Sequence, residues 1–233
     1  MINLSENSAL NYISKISFMQ TACLKTAFDG SALAPDVWVQ RVNGRLCAVA
    51  SRLGGRLNIT AENADIPELK EFISVIGFNE IFCEKDTALS LGFKEFDAFT
   101  VLKKRVKKQN DFCGVPSLKN LYASLLMGAD GDILLPEFEF FAADISHRLR
   151  HGGAVAILED FGAAVAIKSD FGGIINGISV NKGTRGQGFG SKLLKNICGY
   201  LDGDVFVCAR TDTAEFYIKN GFVPCDEAVL IRG

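Results

Sequence analysis

The stretch Ile178-Ser-Val-Asn-Lys-Gly-Thr-Arg-Gly-Gln-Gly-Phe-Gly-Ser-Lys-Leu-Leu-Lys-Asn-Ile197 decides the fold of this 233-residue chain. It reads as a buried strand, a turn with three alternating glycines, and an amphipathic helix. Gly186, Gly188 and Gly190 remove every β-carbon from one edge of the backbone and tolerate positive φ. A bulky anion can therefore approach the main chain of this turn closely.

The helix after the glycines has the pattern of a helix packed on a core, because its apolar residues recur every three to four positions. They are Phe189, Leu193, Leu194, Ile197, Cys198 and Leu201. The first turn of this helix directs unpaired N–H groups and the positive end of the dipole into the glycine turn. Such a helix start is a ready-made phosphate site, and Arg185 adds a permanent charge beside it.

Several kinds of turn compete for this stretch. A P-loop requires Gly-Lys-Ser/Thr at its end, which is missing here. The dinucleotide-binding fingerprint requires a third glycine three residues after the second, and Ser191 occupies that place. An ordinary glycine-rich turn without a ligand is the remaining alternative.

The six residues from Arg185 to Gly190 resemble the acyl-coenzyme A loop of the GNAT superfamily of N-acetyltransferases, Arg/Gln-x-x-Gly-x-Gly/Ala. Val180 ends the strand five residues before the arginine, as in that family. A second stretch, Thr213-Ala-Glu-Phe-Tyr-Ile-Lys-Asn-Gly-Phe222, resembles the downstream signature of the superfamily. In that signature a helix carrying a tyrosine ends in Gly-Phe and enters the last hairpin.

The order of predicted elements in the second half is also similar to that of a GNAT domain. Periodicity and turn residues predict helices at 116–126 and 136–150, strands at 154–159, 163–169 and 173–180, then, after the loop and its helix, a strand at 204–209, a helix at 212–219 and a strand at 228–232. The inner face of the second helix is predicted to hold Phe138, Phe140, Phe141, Ile145 and Leu149. The predicted fold class is α+β, with a mixed, mostly antiparallel twisted sheet flanked by helices.

The first half of the chain resembles the second in weakened form. Ile81-Phe-Cys leads to Gly92-Phe93 as Phe206-Val-Cys leads to Gly221-Phe222, with a helix that is four residues, about one turn, shorter. Its predicted elements are a helix at 8–28, strands at 36–42, 46–52 and 56–60, a helix at 67–76, and strands at 78–83 and 96–103.

The first half lacks the glycine loop. Residues 61–67 contain no glycine and carry Glu62 and Asp65, whose charges would repel a pyrophosphate. We therefore predict two GNAT-like halves: a degenerate domain without a coenzyme A loop at 1–105, a linker at 106–114, and a GNAT acetyltransferase domain at 115–233. An unrelated α+β domain with a chance Gly-Phe match is the alternative for the first half.

The resemblance implies a set of site residues. The backbone of Ile178, Ser179 and Val180 would pair with the pantetheine arm, and the Val180 N–H would polarise the thioester carbonyl. The pyrophosphate would lie on the loop amides of Arg185, Gly186, Gln187, Gly188, Phe189, Gly190 and Ser191. Tyr217 matches the tyrosine that protonates the departing thiolate; the alternative is a packing role. The family has an asparagine that contacts the pantetheine arm where this chain has Arg210; either Thr211 or Asp212 replaces this contact, or the contact is lost.

The general base is not identified by the sequence. Family members often carry a glutamate on the strand before the loop, where this chain has Gly172, Gly173 and Asn176. Asp170, Glu137 and Glu139 are the remaining candidates. His147 and His151 lie one helical turn apart, a spacing that can hold a metal, but without a nearby carboxylate or thiol a surface pair is favoured. No metal is expected.

Composition sets the remaining expectations. A net charge of −2 gives no basic field for nucleic acid or a membrane surface, and the run Lys103–Lys108 is interpreted as a solvated strand end leading into a linker. No secretory signal or stretch of ~20 apolar residues is present. Seven cysteines without a C-x-x-C pair indicate a reducing compartment. We expect a cytoplasmic monomer or homodimer.

These features predict an acyl-coenzyme A-dependent N-acyltransferase, with acetyl-coenzyme A as cosubstrate and a small-molecule or amino-terminal primary amine as acceptor. Two alternatives stay open. One is a coenzyme A-binding or sensing protein with weak or lost catalysis. The other is a tandem GNAT transferase similar to mycothiol synthase, in which the degenerate half shapes the acceptor site.

Overall fold

The computed structural model describes residues 2–4, 36–53, 55–111, 114–128, 135–169 and 172–233. The strands within these residues are β1 (Ile2–Leu4), β2 (Asp36–Val42), β3 (Arg45–Leu53), β4 (Arg56–Ala61), β5 (Glu80–Glu84), β6 (Asp97–Val106), β7 (Ala154–Glu159), β8 (Gly162–Ser169), β9 (Gly172–Val180), β10 (Gly203–Arg210) and β11 (Val223–Arg232). The α-helices are α1 (Ile66–Ile76), α2 (Lys85–Ser90), α3 (Leu118–Gly128), α4 (Phe138–Arg150), α5 (Phe189–Cys198) and α6 (Thr211–Lys219). The predicted helix at 8–28 lies outside the described residues.

All of these strands join one sheet in the order β1-β2-β3-β4-β5-β11-β6-β10-β9-β8-β7. Neighbours are antiparallel except for the pairs β4–β5 and β9–β10, which are parallel. The order from β2 to β7 is palindromic: β2-β3-β4-β5-β11 on one side has the same sequence of orientations as β7-β8-β9-β10-β6 on the other. The predicted α+β class with a mostly antiparallel sheet is confirmed.

The last strands of the two halves are exchanged. β6 closes the first half in sequence but lies beside β10, with Val101 opposite Cys208. β11 closes the chain but lies between β5 and β6, with Val229 opposite Cys83. The prediction that a hairpin follows α6 is therefore wrong, because β11 pairs with β5 and β6 of the first half.

The basic run at the end of β6 extends the strand beyond its predicted end. Val106 still pairs with Gly203 of β10. Asp204 supplies the partner for two of the cations, at 3.8 Å from Lys103 Nζ and 3.5 Å from Arg105 Nη1. A carboxylate between two basic side chains offsets their repulsion and lets the strand continue.

Helices cover both faces of the sheet. Leu102 of β6 belongs to a core with side chains of α5 and α6. Val229 of β11 belongs to a core with side chains of α1 and α2. Val229 pairs with Ala98, which lies on the same face of β6 as Leu102, so these four helices share one face. α3 and α4 pack on the opposite face over β7 and β8.

Helix α4 is rotated relative to the prediction. Its buried residues are Phe141, Ile145 and Arg148, an i, i+4, i+7 stripe. Phe140 lies about 100° away from that stripe and is 55% exposed, so its predicted inward position is wrong. No helix among the described residues is long and apolar enough to cross a membrane.

Candidate functional site

A wedge separates β9 from β10 at the carboxyl end of both strands. The parallel ladder between them covers three residue pairs and ends at Ile174–Phe206. Beyond that point β9 continues to Val180 paired with β8, and β10 continues to Arg210 paired with β6. The two strands diverge, and within the described part of the chain no strand pairs with this edge of β9.

The backbone of Ile178 and Val180 faces the wedge. Asn181 donates its N–H to the carbonyl oxygen of Phe161 at 2.9 Å, on the β8 side. Because backbone groups of successive strand residues alternate in direction, Val180 and Ile178 point away from β8 and Ser179 points toward it. Ile178 therefore directs both its N–H and its C=O into the wedge, whereas Val180 directs its N–H there and its C=O accepts a hydrogen bond from Arg185. The Ser179 hydroxyl instead donates to a carbonyl oxygen of α3 at 2.8 Å.

The glycine loop leads from this edge into α5. A 3-10 turn at Lys182–Thr184 is followed by Gly186 with φ +77° and Gly188 with φ +82°. The N–H of Lys192 makes the first intrahelical bond, to Gly188 O at 3.1 Å. The amides of residues 189–191 precede that bond, and no side chain of Gly188 is there to cap them. These amides open onto an exposed loop, which is the geometry of an anion site.

Gly190 and Phe189 fix the loop to its surroundings. A β-carbon on Gly190 would lie 3.1 Å from the ring of Phe216 in α6, so any larger residue would have to displace that ring by a few tenths of an ångström. The ring of Phe189 stacks on that of Phe161 with centroids 4.3 Å apart. The Lys192 ammonium lies 5.1 Å from the same Phe161 ring. The predicted residues Gly186–Ser191 are thus contiguous in space around the start of α5.

The Arg185 side chain binds the protein itself. Its Nε donates to Val180 O at 3.2 Å and its Nη2 donates to Gly128 O at 2.6 Å. Gly128 is the last residue of α3, so the guanidinium joins the end of that helix to the end of β9. The sequence predicted a positive charge at the loop entrance. The structure shows that the guanidinium group of Arg185 also joins the loop to β9 and α3 through these hydrogen bonds.

Tyr217 lies on α6, which begins directly after β10. The residue is 8% exposed and belongs to the core formed with α5. Burial raises the pKa of its phenol above the ordinary value, so the hydroxyl carries its proton at neutral pH, as a general acid must. Thr211 is the first residue of α6 and is exposed at the end of β10.

The candidates for a general base are spread out. Glu137 and Glu139 are exposed at the start of α4, and Asp170 lies outside the described residues. Asn176 is exposed where the β8–β9 register shifts between Val165 and Ala166. This bulge was not predicted, since nothing in the local sequence distinguishes a bulged strand from a regular one.

The two histidines form a close pair. The rings of His147 and His151 have centroids 4.4 Å apart. Among the residues that the structure describes, no group of three or more histidine, cysteine, aspartate or glutamate side chains has the arrangement to hold a metal.

The two parallel strands of the first half, β4 and β5, stay paired nearly to their carboxyl ends. The parallel ladder between β4 and β5 extends to Ile59–Cys83, and the Thr60 hydroxyl then donates to Glu84 at 2.6 Å. If Cys83 corresponds to Cys208, this ladder runs two residue pairs further than that between β9 and β10. Burial, reinforced by nearby Asp226, raises the pKa of Glu84 to about 7. Nothing in the local sequence indicates this contact, because it joins side chains of two different strands.

A cavity of about 460 Å³ lies between the two halves beside the irregular start of β11. The first half lines it with Glu84, Lys85, Asp86 and Thr100, and the second half with Pro224, Cys225, Asp226 and Glu227. An ion pair of 2.7 Å between Lys85 and Glu227 joins the two sets.

Comparison with known proteins identifies a family for the part of the chain that holds the wedge and the glycine loop. Residues 138–224 match the family model described as an acetyltransferase (GNAT) domain. This match covers both the glycine loop and the downstream signature from which the resemblance to that family was predicted. No curated protein matches the chain.

Solved structures share the whole architecture at low sequence identity. A GCN5-related N-acetyltransferase from Sphaerobacter thermophilus has a TM-score of 0.61 at 13% identity, with 100% of this chain and 95% of that chain covered. A GNAT-family acetyltransferase from Colwellia psychrerythraea has a TM-score of 0.50 at 15% identity, with 99% and 98% covered. A tandem GNAT protein from the clavulanic acid biosynthesis pathway has a TM-score of 0.50 at 13% identity, with 99% and 97% covered. These likenesses establish the fold.

Proposed function

We propose that the C-terminal half is an N-acyltransferase that transfers the acetyl group of acetyl-coenzyme A to a primary amine. The observation that carries the proposal is the wedge: the free edge of β9 ends at a glycine loop whose helical amides lack intrahelical partners. One extended ligand with amides along its arm and a pyrophosphate at its end satisfies both features together.

In this proposal the loop amides from Arg185 to Ser191 hold the pyrophosphate, and the positive end of the α5 dipole supports them. The Ile178 and Val180 backbone groups pair with the pantetheine amides as an added strand. The Val180 N–H donates to the thioester carbonyl oxygen and stabilises the negative charge that develops on it. A preorganised donor of this kind lowers the activation free energy by about 3–4 kcal/mol.

The chemistry then follows a direct attack. The neutral amine adds to the thioester carbon, the carbon–sulfur bond breaks, and the amine loses a proton to a base or to water. Tyr217 donates its phenolic proton, or a strong hydrogen bond, to the departing thiolate. Its buried position supports this role, because the raised pKa keeps the proton on the phenol until a negative charge forms beside it.

Release of free thiol from acetyl-coenzyme A with a panel of primary amines tests the activity. Gln187→Glu adds one negative charge to the exposed loop without changing its backbone, and should weaken coenzyme A binding about tenfold or more. Gln109→Glu makes the same change near Gly199 at the other end of α5, about 15 Å away, and should leave binding unchanged. Equal affinities for both variants would refute the loop assignment.

A coenzyme A-binding protein without turnover is a second candidate, because residues 172–180 contain no carboxylate that would serve as base. It predicts tight binding of acetyl-coenzyme A, sensitive to Gln187→Glu, and no thiol release above background with any amine. Turnover with one amine would exclude it.

A transferase in which both halves shape the acceptor site is favoured by the cavity that both halves line. Asp226→Asn, in its wall, would then raise the KM for the amine and leave the KM for acetyl-coenzyme A unchanged. An unchanged amine KM would place the acceptor site elsewhere.

A further inference from the structure

Lys104 connects the first half of the chain to the helix that carries Tyr217. It lies on β6, and its Nζ donates to the carbonyl oxygen of Asn220, the residue that ends α6, at 2.7 Å. The same ammonium lies 5.7 Å from the ring of Phe222. A cation at the carboxyl end of a helix is favourable because the last carbonyls carry the negative end of the dipole.

The turn that Lys104 binds also fixes Tyr217. The N–H groups of Asn220 and Phe222 both donate to the Tyr217 carbonyl oxygen, at 3.0 and 3.1 Å. The Phe222 ring packs edge-on against the Tyr217 ring, with centroids 5.8 Å apart. Backbone and ring of Tyr217 are thus held by two residues that the Lys104 ammonium contacts.

We propose that Lys104 is a positioning residue: it sets the orientation of the Tyr217 phenol through the end of α6. This inference rests on the proposed function, in which Tyr217 acts on the departing thiolate. It assigns a role in the reaction to a strand of the first half, which reaches the GNAT domain only because β6 and β11 are exchanged. A small displacement of an acid from its working position has a large effect on the rate.

Three variants test the role of Lys104 in the full-length chain. Lys104→Met removes the ammonium but retains an apolar chain of similar length, and Lys104→Arg retains a cationic donor. Lys107→Met is the matched control, since it removes the same charge from an exposed residue just beyond β6. Thiol release from acetyl-coenzyme A is followed with the amine that the wild-type protein turns over fastest.

Lys104→Met should lower kcat about tenfold while the KM for acetyl-coenzyme A stays within about twofold. Lys104→Arg should recover most of the loss, and Lys107→Met should match the wild type. When Tyr217→Phe is already present, Lys104→Met should lower kcat no further, because the hydroxyl group that Lys104 orients is then absent. Independent, multiplying effects of the two substitutions would overturn the proposal.

Failure of the proposed function gives a different result. If Tyr217→Phe alone leaves kcat unchanged, or if no amine is turned over, the general-acid role fails and the structural coupling is measured directly. Amide hydrogen exchange at Asn220 and Phe222 should then rise about tenfold in Lys104→Met and return toward wild type in Lys104→Arg. Unchanged exchange in Lys104→Met would show that the ammonium does not hold this turn.

Discussion

Replacing Glu84 by glutamine should make the protein more stable at alkaline pH and leave it nearly unchanged at acidic pH. The pKa of Glu84 is about 7 in the folded protein, against 4.5 as its ordinary value, chiefly because the carboxyl is buried. Such a group contributes stability that is fully present below the unfolded pKa and is lost as pH rises through the folded pKa. The stability of the wild type should therefore fall between about pH 4.5 and 7 and level off above.

The magnitude follows from the same two values. Each unit of pKa difference corresponds to about 1.4 kcal/mol, so the rise in the pKa of Glu84 from 4.5 to about 7 corresponds to at most about 3.5 kcal/mol at pH 8. Glutamine retains an oxygen that accepts the Thr60 hydroxyl hydrogen bond and has no proton to lose. At pH 8 the free energy of unfolding of the Glu84→Gln protein should exceed that of the wild type by up to about 3.5 kcal/mol, or roughly 7–14 °C in Tm for a chain of this size.

Urea unfolding at a series of pH values from 5 to 8 measures this difference. Glu71→Gln is the control, because its carboxylate is exposed on α1, and it should change the free energy of unfolding by less than about 0.5 kcal/mol throughout. A difference between Glu84→Gln and the wild type that is constant from pH 5 to pH 8 would refute a neutral buried carboxyl at this position.

Changes around the glycine loop and between the halves have distinct expected outcomes. Gly190→Val should destabilise the protein by about 1–3 kcal/mol in urea unfolding, because its side chain meets the Phe216 ring. Arg185→Met should weaken coenzyme A binding while leaving the salt dependence of the affinity unchanged, since the guanidinium binds protein carbonyls; a shallower dependence would mean a direct phosphate contact. A proteolytic cut within residues 107–111 should give two fragments that co-elute in size exclusion at neutral pH, because β6 and β11 each lie in the sheet of the other half; separate folded fragments would contradict the exchange.

Local features of the candidate site were predictable from the sequence. Alternating glycines before an apolar pattern with a 3.6-residue period indicate a turn followed by a helix, independently of the rest of the chain. Gly188 indeed occupies the position immediately before α5, with φ +82°. Asn220-Gly221 likewise marks the end of α6, since Gly221 adopts φ +84°. Each of these signals depends on neighbouring residues only.

The exchange of β6 and β11 was not predictable in the same way. Val101 pairs with Cys208, about a hundred positions later in the chain, and the alternation of apolar residues on a strand is satisfied by any partner that buries the same face. The hydrogen bonds of the Arg185 guanidinium were not predictable either, for the same reason. An arginine beside a glycine loop suggests contact with a bound anion, but the carbonyl groups of Val180 and Gly128 accept its hydrogen bonds. Gly128 is 57 positions away in the sequence and comes close to Arg185 only in the folded chain.

The proposal that coenzyme A binds the second half is supported by the two parallel ladders as much as by the glycines. In the first half the strands stay paired to Ile59–Cys83 and are then joined by Thr60 and Glu84, so an extended ligand would have to break both. In the second half pairing ends at Ile174–Phe206, and the unpaired edge of β9 gains hydrogen bonds when a strand-like ligand enters. A ligand therefore replaces existing bonds in one half and adds bonds in the other, which favours binding in the second even before its pyrophosphate meets the loop.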